Sequence, residues 1–148
     1  MHTPADIART AAVKWEGDVA KGHGAITTGS GKISATYSFG TRFSGDPGTN
    51  PEELLGASHA SCFTMALSAA LTRAGHAPTS IDTTATVHLR SSGATFDIAK
   101  IDLTANAVVA GVTDDEFARL AAEAKSTCPI SKALAAVPTS LHAELTSP

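Results

Sequence analysis

Charged and aromatic residues are scarce in this 148-residue chain, at 17% and 5% of its composition. With a net charge of −3 at pH 7, the chain lacks the basic excess with which proteins bind nucleic acid or anionic membranes. No unbroken apolar run reaches the roughly 18 residues of a membrane span. The opening residues, MHTPADIARTAAVKWEGD, have no basic segment followed by an apolar core, unlike a signal peptide. We therefore predict a cytoplasmic protein that binds neither nucleic acid nor membrane.

Cysteine is also scarce, since Cys62 and Cys128 are the two in the chain. Neither belongs to a C-x-x-C motif, and the six histidines show no metal-binding spacing, so no metal site is predicted. The P-loop, G-x-G-x-x-G and G-x-S-x-G motifs are absent, which leaves nucleotide chemistry and serine hydrolysis without support. Structural disulfides are rare in the cytoplasm, so both thiols are expected to be reduced and either reactive or inert.

Hydrophobic residues make up 43% of the chain, which at this length suits one domain, 1–148, with a sizeable core. Apolar periodicity and turn signals predict strands, one long helix, more strands, two helices and a last strand, an order that indicates an α+β fold. The strand over 95–109 changes apolar parity, which predicts a β-bulge near Ala99 or Lys100. The other predicted strands are 12–17, 25–28, 32–39, 81–90 and 140–145, and the predicted helices are 50–75, 114–126 and 130–136.

The long predicted helix has start and stop signals at its two ends. Asn50 is a good N-cap, Glu52 and Glu53 suit the positive end of the helix dipole, and Gly75 can adopt the left-handed conformation that ends a helix. The middle of this helix is apolar almost all the way round, so we expect it to be buried on most sides. One sheet covers one side, and we therefore expect a second copy of the chain to cover the other.

Cys62 lies inside this helix, with His59 three residues earlier on the same face. From composition alone, a buried inert cysteine and a reactive one are about equally expected. Cys128 favours reactivity, because its predicted place at a helix N-terminus lowers a thiol pKa. Arg42, in a predicted loop over 40–49 that leads into the long helix, could stabilise a thiolate while a glutamate holds its guanidinium.

Each of these residues also has an ordinary interpretation. Arg42 can be a solvated loop arginine, and Glu52 and Glu53 can act on the helix dipole alone. His59 can be a core histidine that hydrogen-bonds a backbone group, which we favour over metal ligation.

The segment GTNPEELLGASHASCFTMAL closely resembles the cysteine-helix signature of the OsmC/Ohr hydroperoxide reductases, in their OsmC branch. The similarity extends to VKWEGD near the start, TRF before the long helix, PTSIDTTATVHL after it and AKSTCPISKAL near the end. It covers nearly the whole chain, and the motifs together are highly specific. The histidine three residues before the cysteine fits the OsmC branch better than the Ohr branch.

This resemblance implies a thiol peroxidase with no metal and no bound cofactor, which acts in oxidative or osmotic stress defence. Cys62 matches the peroxidatic cysteine and Cys128 the resolving one, while Arg42 matches the arginine that stabilises the thiolate and Glu52 its salt-bridge partner. An external dithiol, for which a lipoyl-type dithiol is one candidate, would reduce the resulting disulfide. The family forms an intertwined homodimer in which antiparallel sheets wrap around long central helices, in agreement with the apolar helix.

The substrate side of this site is expected to be apolar and to favour an organic hydroperoxide over hydrogen peroxide. The residues expected to line its entrance are Phe43, Phe63, Met65 and Ile130.

Two other functions remain open from the sequence. The same cysteines could serve a thiol–disulfide oxidoreductase that acts on proteins, although the missing C-x-x-C motif counts against it. The chain could also be a non-enzymatic dimer that binds or senses a small hydrophobic molecule, with its cysteines buried and inert.

Overall fold

The computed structural model describes residues 5–146, and within it the chain forms two compact units, Met1–Pro51 and Glu52–Pro148. The first unit holds three strands and a short helix, and the second holds three helices and three strands. This content confirms the α+β fold class, and each unit is described in turn.

The strands of the first unit form one antiparallel sheet in the order β1-β2-β3. They are β1 (Ala11–Glu16), β2 (His23–Thr28) and β3 (Ser34–Tyr37), which confirms the strands predicted over 12–17, 25–28 and 32–39 with shifted ends. Gly24 stands opposite Tyr37 in the register, and a Cβ atom there would lie 2.2 Å from the tyrosine ring. Glycine is therefore required at this position, because the aromatic ring lies directly over the strand.

The face that alternation assigns to the inside of β3 is only partly covered. Ala35 and Tyr37 are half-buried, but Ile33 and Phe39, at the two ends of the alternating segment, are 44% and 46% exposed.

A short helix, α1 (Phe39–Phe43), follows β3 directly, where a loop over 40–49 was expected. Ser38 caps it, because its hydroxyl accepts from the Thr41 amide at 3.3 Å and the Thr41 hydroxyl accepts from the Ser38 amide at 2.9 Å. The prediction that Arg42 lies in a loop is therefore wrong, since Arg42 lies in the last turn of this helix.

The long helix is present as α2 (Pro51–Arg73), with Glu52 and Glu53 in its first turn. The chain leaves it at Gly75, whose φ is +88°. The Gly75 amide bonds to the Thr72 carbonyl at 3.0 Å and the His76 amide to the Leu71 carbonyl at 2.8 Å. This is a Schellman ending, and it confirms the predicted helix stop.

Within the chain, α2 is buried along one face and exposed along another. The buried residues are Gly56, His59, Phe63, Leu67, Ala70 and Leu71. The predicted burial on most sides is therefore not seen within a single chain. By length and composition α2 could also cross a membrane, contrary to the expectation that no segment is long and apolar enough, but the core helix of a globular protein meets the same criteria.

The second sheet is mixed, with β5 between its neighbours in the order β4-β5-β6. Its strands are β4 (Ser80–Ser92), β5 (Thr95–Val108) and β6 (Thr139–Thr146), with β5 antiparallel to β4 and parallel to β6. His88 pairs with Lys100 and Leu89 with Ile98, so Ala99 is the extra residue of a bulge. The predicted bulge is confirmed, and it turns the apolar residues after it towards the core.

Two helices connect β5 to β6. The first, α3 (Asp114–Thr127), starts at Thr113, whose hydroxyl accepts from the Glu116 amide at 3.2 Å. The second, α4 (Pro129–Ala133), is shorter than predicted, and Cys128 is both the last cap of α3 and the N-cap of α4. One hydrophobic core joins α2, β5 and α3, built mainly from Phe63, Leu67, Leu71, Ile101, Leu103, Phe117 and Leu120.

Candidate functional site

The two cysteines come together inside the second unit, although α2 carries one and the α3–α4 junction the other. Cys62 is half-buried and Cys128 is fully buried, and both are free thiols. Each thiol is close enough to shift the pKa of the other, and the backbone amide of Ile130 acts on both. The structure thus places side by side the two thiols that the sequence singled out.

The contacts of this pair shift the two pKa values in opposite directions. Burial, the hydrogen bond to Cys128 and the charge of Cys128 raise the pKa of the Cys62 thiol, against a smaller lowering by the Ile130 amide. Burial also acts to raise the pKa of Cys128, but hydrogen bonds from Cys62, from the Ser131 amide and hydroxyl, and from the Ile130 amide lower it overall. Among these contacts Cys128 is the more acidic thiol.

His59 lies one helical turn before Cys62 and is fully buried. Its Nε2 atom lies 2.8 Å from the hydroxyl of Ser131, whereas its Nδ1 atom has no hydrogen-bond partner within residues 5–146. Burial lowers the pKa of the imidazole, which is therefore neutral near pH 7. The expectation of a backbone partner for His59 is wrong, because its partner is a side chain.

Ser131 was not among the residues that sequence reasoning selected. The available signal was its spacing, since Ser131 follows Cys128 by three residues, and His59 precedes Cys62 by three. Spacings of three place two side chains on one side of a helical turn. Nothing local in the sequence shows that the two pairs face each other.

The predicted charged partners lie at the ends of two helices. The Arg42 guanidinium carbon is 5.3 Å from the centre of the Phe43 ring, a cation–π distance within the first unit. Glu52 is half-buried in the first turn of α2, and Glu53 is exposed there. The contact of Arg42 with the Cys62 thiolate and its ion pair with Glu52 remain predictions.

The four predicted entrance residues have different surroundings. Ile130 is half-buried beside the cysteine pair, Met65 is 76% exposed on α2, and Phe43 is 37% exposed and stacks with Phe39 at 4.7 Å. Phe63 has no exposed surface and belongs to the core, so its position does not support a place at the entrance.

No group of three or more His, Cys, Asp and Glu side chains within the described part of the chain could hold a metal ion.

Comparison with known proteins gives concordant matches. The family model described as OsmC-like protein matches residues 43–142. Peroxiredoxin OsmC of Escherichia coli (strain K12) is 50% identical over 123 residues, which cover 82% of this chain and 86% of that protein.

Solved structures match along almost the full chain. An organic hydroperoxide resistance protein from Elizabethkingia anophelis matches with a TM-score of 0.78 at 22% identity, and covers 97% of this chain and 100% of its own. The organic hydroperoxide resistance protein OhrB of Bacillus subtilis matches with a TM-score of 0.66 at 26% identity, and covers 93% of this chain and 98% of its own.

Proposed function

This chain belongs to the OsmC-like family of thiol-dependent peroxidases, and on that premise we propose that it reduces organic hydroperoxides to alcohols with Cys62 and Cys128. The observation that carries this proposal is the pair of neighbouring free thiols, one fully buried and the other half-buried. Two neighbouring thiols can be oxidised together to one disulfide. The biological role is defence against oxidative or osmotic stress.

The reaction begins at Cys62, the more accessible of the two thiols. Its thiolate attacks the distal oxygen of the peroxide, the O–O bond breaks, and the alcohol leaves with a proton. Cys62 is then a sulfenic acid. Cys128 attacks that sulfur, a disulfide forms and water leaves, and an external dithiol such as a lipoyl-type dithiol restores both thiols.

Arg42 has a necessary role in this scheme. Because the contacts within the second unit raise the pKa of Cys62, the attacking thiolate needs a cation that the unit itself does not supply among these contacts. Arg42 is the residue that the family motif assigns to that task, with Glu52 holding its guanidinium. Arginine suits the position because it stays charged and can bond a thiolate and a carboxylate at once.

The entrance for the peroxide is apolar, and this favours organic hydroperoxides, with hydrogen peroxide reduced more slowly. Ile130 supplies a half-buried side chain beside the thiols, and Met65 and Phe43 supply further apolar surface.

The active form is a homodimer in which a second copy covers the open face of α2. Met65 is 76% exposed there, and the small residues Ala57, Ser61 and Ala69 beside it would let another helix approach closely. Val13, at 56%, and Ile33 add exposed apolar surface on the first sheet. Apolar surface of this extent is typical of a protein interface.

The two units act together as one family domain, 1–148, since the matched residues 43–142 cross the boundary between them. With an acidic balance of charge, the protein works in the cytoplasm without binding nucleic acid or membrane.

Single-turnover oxidation of the reduced protein tests the proposal. One equivalent of cumene hydroperoxide should be consumed per chain with the loss of both thiols. Cys62→Ser should consume none, whereas Cys128→Ser should consume one equivalent and stop as a sulfenic acid that dimedone labels. Hydrogen peroxide, run in parallel, should react more slowly.

A wild-type protein that consumes no hydroperoxide and keeps both thiols would contradict the peroxidase. A Cys128→Ser variant that turns over fully with a dithiol would contradict the resolving role of Cys128.

A further inference from the structure

A side-chain hydrogen bond links the segments that carry the two cysteines. It joins His59 Nε2 on α2 to the Ser131 hydroxyl on α4 at 2.8 Å. The imidazole is fully buried and its other nitrogen is unpartnered within residues 5–146. A buried polar group with one orphan atom is costly, so its retention calls for an explanation beyond packing.

The orphan nitrogen fixes the direction of this bond. A neutral imidazole carries one N–H and one bare nitrogen. If the proton were on Nδ1, a buried donor would be left unmet, which is rarer and costlier than an unmet acceptor. The proton therefore lies on Nε2, so His59 donates and the Ser131 oxygen accepts. The hydroxyl proton of Ser131 is then free to be donated onwards.

The geometry of α4 directs that proton towards Cys128. Cys128 is the N-cap of α4 and Ser131 is its third residue, so the two side chains lie three positions apart, on the same side of this turn. The Cys128 side chain makes no close capping bond at this helix start. The Ser131 hydroxyl and the Cys62 thiol are the side chains that lower the pKa of Cys128, together with the Ser131 and Ile130 amides.

We propose that His59 and Ser131 are positioning residues for the resolving step, a role that rests on the proposed function. Their hydrogen bond holds α4 against α2. His59 Nε2–H donates to Ser131 Oγ, and the Ser131 hydroxyl donates to Cys128 Sγ, which stabilises the Cys128 thiolate as it attacks. In that step a sulfur–sulfur bond forms and the S–O bond of the Cys62 sulfenic acid breaks. The leaving hydroxide takes up the proton given up by Cys128 and departs as water, while Cys128 is oxidised and the sulfenic sulfur is reduced.

A test that needs no peroxide uses 2,2′-dithiodipyridine on the reduced protein. The accessible Cys62 releases one thiopyridone and becomes a mixed disulfide, and attack by Cys128 releases a second. Ser131→Ala should slow the second release about three- to tenfold near neutral pH. A smaller fraction of Cys128 would be ionised, and the higher nucleophilicity of each thiolate would only partly offset this loss. The pH at which this release is half-maximal should rise.

The controls separate positioning from general damage. Ser131→Thr, which keeps the hydroxyl, should restore the rate, and His59→Gln, which keeps a donor, should slow it less than His59→Ala. Ser126→Ala removes a nearby hydroxyl that bonds only to the Glu123 carbonyl among its described contacts, and should match the wild type.

An unchanged second release in Ser131→Ala, with an unchanged pH profile, would overturn the inference. Equal slowing in Ser126→Ala would also overturn it, since the effect would then be structural. The proposed function is judged separately by hydroperoxide consumption in the wild type, so failure of one proposal can be told from failure of the other.

Discussion

At the scale of single residues, the site depends on burying groups that ordinarily prefer water. His59 is the clearest case, because its imidazole is fully buried and one of its nitrogens has no hydrogen-bond partner in the described part of the chain. Burial lowers its pKa below the ordinary value of 6.5. The folded protein therefore resists protonation of this side chain, and a dependence of stability on pH follows.

The sign of that dependence can be stated. Below about pH 6.5 the unfolded chain binds a proton at His59 more readily than the folded chain does, so acid favours unfolding. The contribution of neutral His59 to the free energy of unfolding is fully present above pH 6.5. It is lost as the pH falls towards the lowered pKa of His59 in the folded protein. Urea unfolding should show wild-type stability dropping more between about pH 7.5 and about pH 5.5 than that of His59→Gln.

His142→Gln is the matched control for that measurement. His142 is exposed, with Nε2 2.9 Å from Glu144 Oε1, so this variant removes one histidine from the chain and leaves the buried site intact. Equal acid sensitivity in the wild type and His59→Gln would contradict a neutral buried His59.

At the scale of elements, α2 packs against β4 at Gly56. A Cβ atom built there would lie 3.4 Å from the Ala85 carbonyl oxygen and 3.4 Å from Val87 Cγ2. These are ordinary contacts, so the site has room for a methyl group and for nothing larger. Gly56→Ala should therefore stabilise the fold by up to about 1 kcal/mol, since alanine is the better helix former.

The midpoint of urea unfolding checks this prediction. Gly56→Leu should destabilise by about 1–3 kcal/mol, because its larger side chain would overpack the strand. Ala122→Gly, at an exposed helical position, should lower the free energy of unfolding by about 0.5–1 kcal/mol. This control measures the difference in helix propensity between alanine and glycine in this protein. Destabilisation by Gly56→Ala would show that the helix and strand cannot adjust at this contact.

The elements also show how far sequence patterns reach. The bulge at Ala99 was predictable because a change of parity along one strand has a local cause. The helix α1 was missed because five residues are too few to show helical periodicity, although the Ser38–Thr41 cap was a usable signal. The parallel pairing of β6 with β5 depends on how α3 and α4 return the chain, which no local pattern specifies.

In the candidate site too, some features were predictable from the sequence and others required the fold. Cys62 and Cys128 were predictable as individual thiols, and their proximity followed from resemblance to a family. The His59–Ser131 bond joins residues 72 positions apart, so it required the fold.

At the scale of the whole molecule, the open face of α2 is the largest departure from expectation. An apolar helix predicted to be buried on most sides is covered on one face within the chain. The homodimer that we propose would remove this mismatch. Met65→Glu should then weaken the dimer strongly, because a carboxylate would be buried without a partner.

Size-exclusion chromatography with light scattering measures this directly. The wild type should run at twice the chain mass of 15.0 kDa, and Met65→Glu should shift towards a single chain as it is diluted. Val19→Glu is a matched control, because Val19 is 71% exposed but lies in a turn of the first unit. A monomeric wild type, or a Met65→Glu variant that stays dimeric, would contradict the proposed interface.

The unequal burial of the two sulfurs also determines how the protein would fail under excess oxidant. Cys62 is partly open to solvent, whereas Cys128 has no exposed surface. In the proposed cycle, a peroxide that arrives before the sulfenic acid is resolved would therefore react with Cys62 again and oxidise it to the sulfinic and then the sulfonic acid. Irreversible oxidation is thus confined to the sulfur of Cys62 at the edge of the core, and the hydrophobic core itself is not modified. An inactivated molecule would thus stay folded and carry a sulfinic or sulfonic acid at Cys62 as a lasting sign of its exposure to excess oxidant.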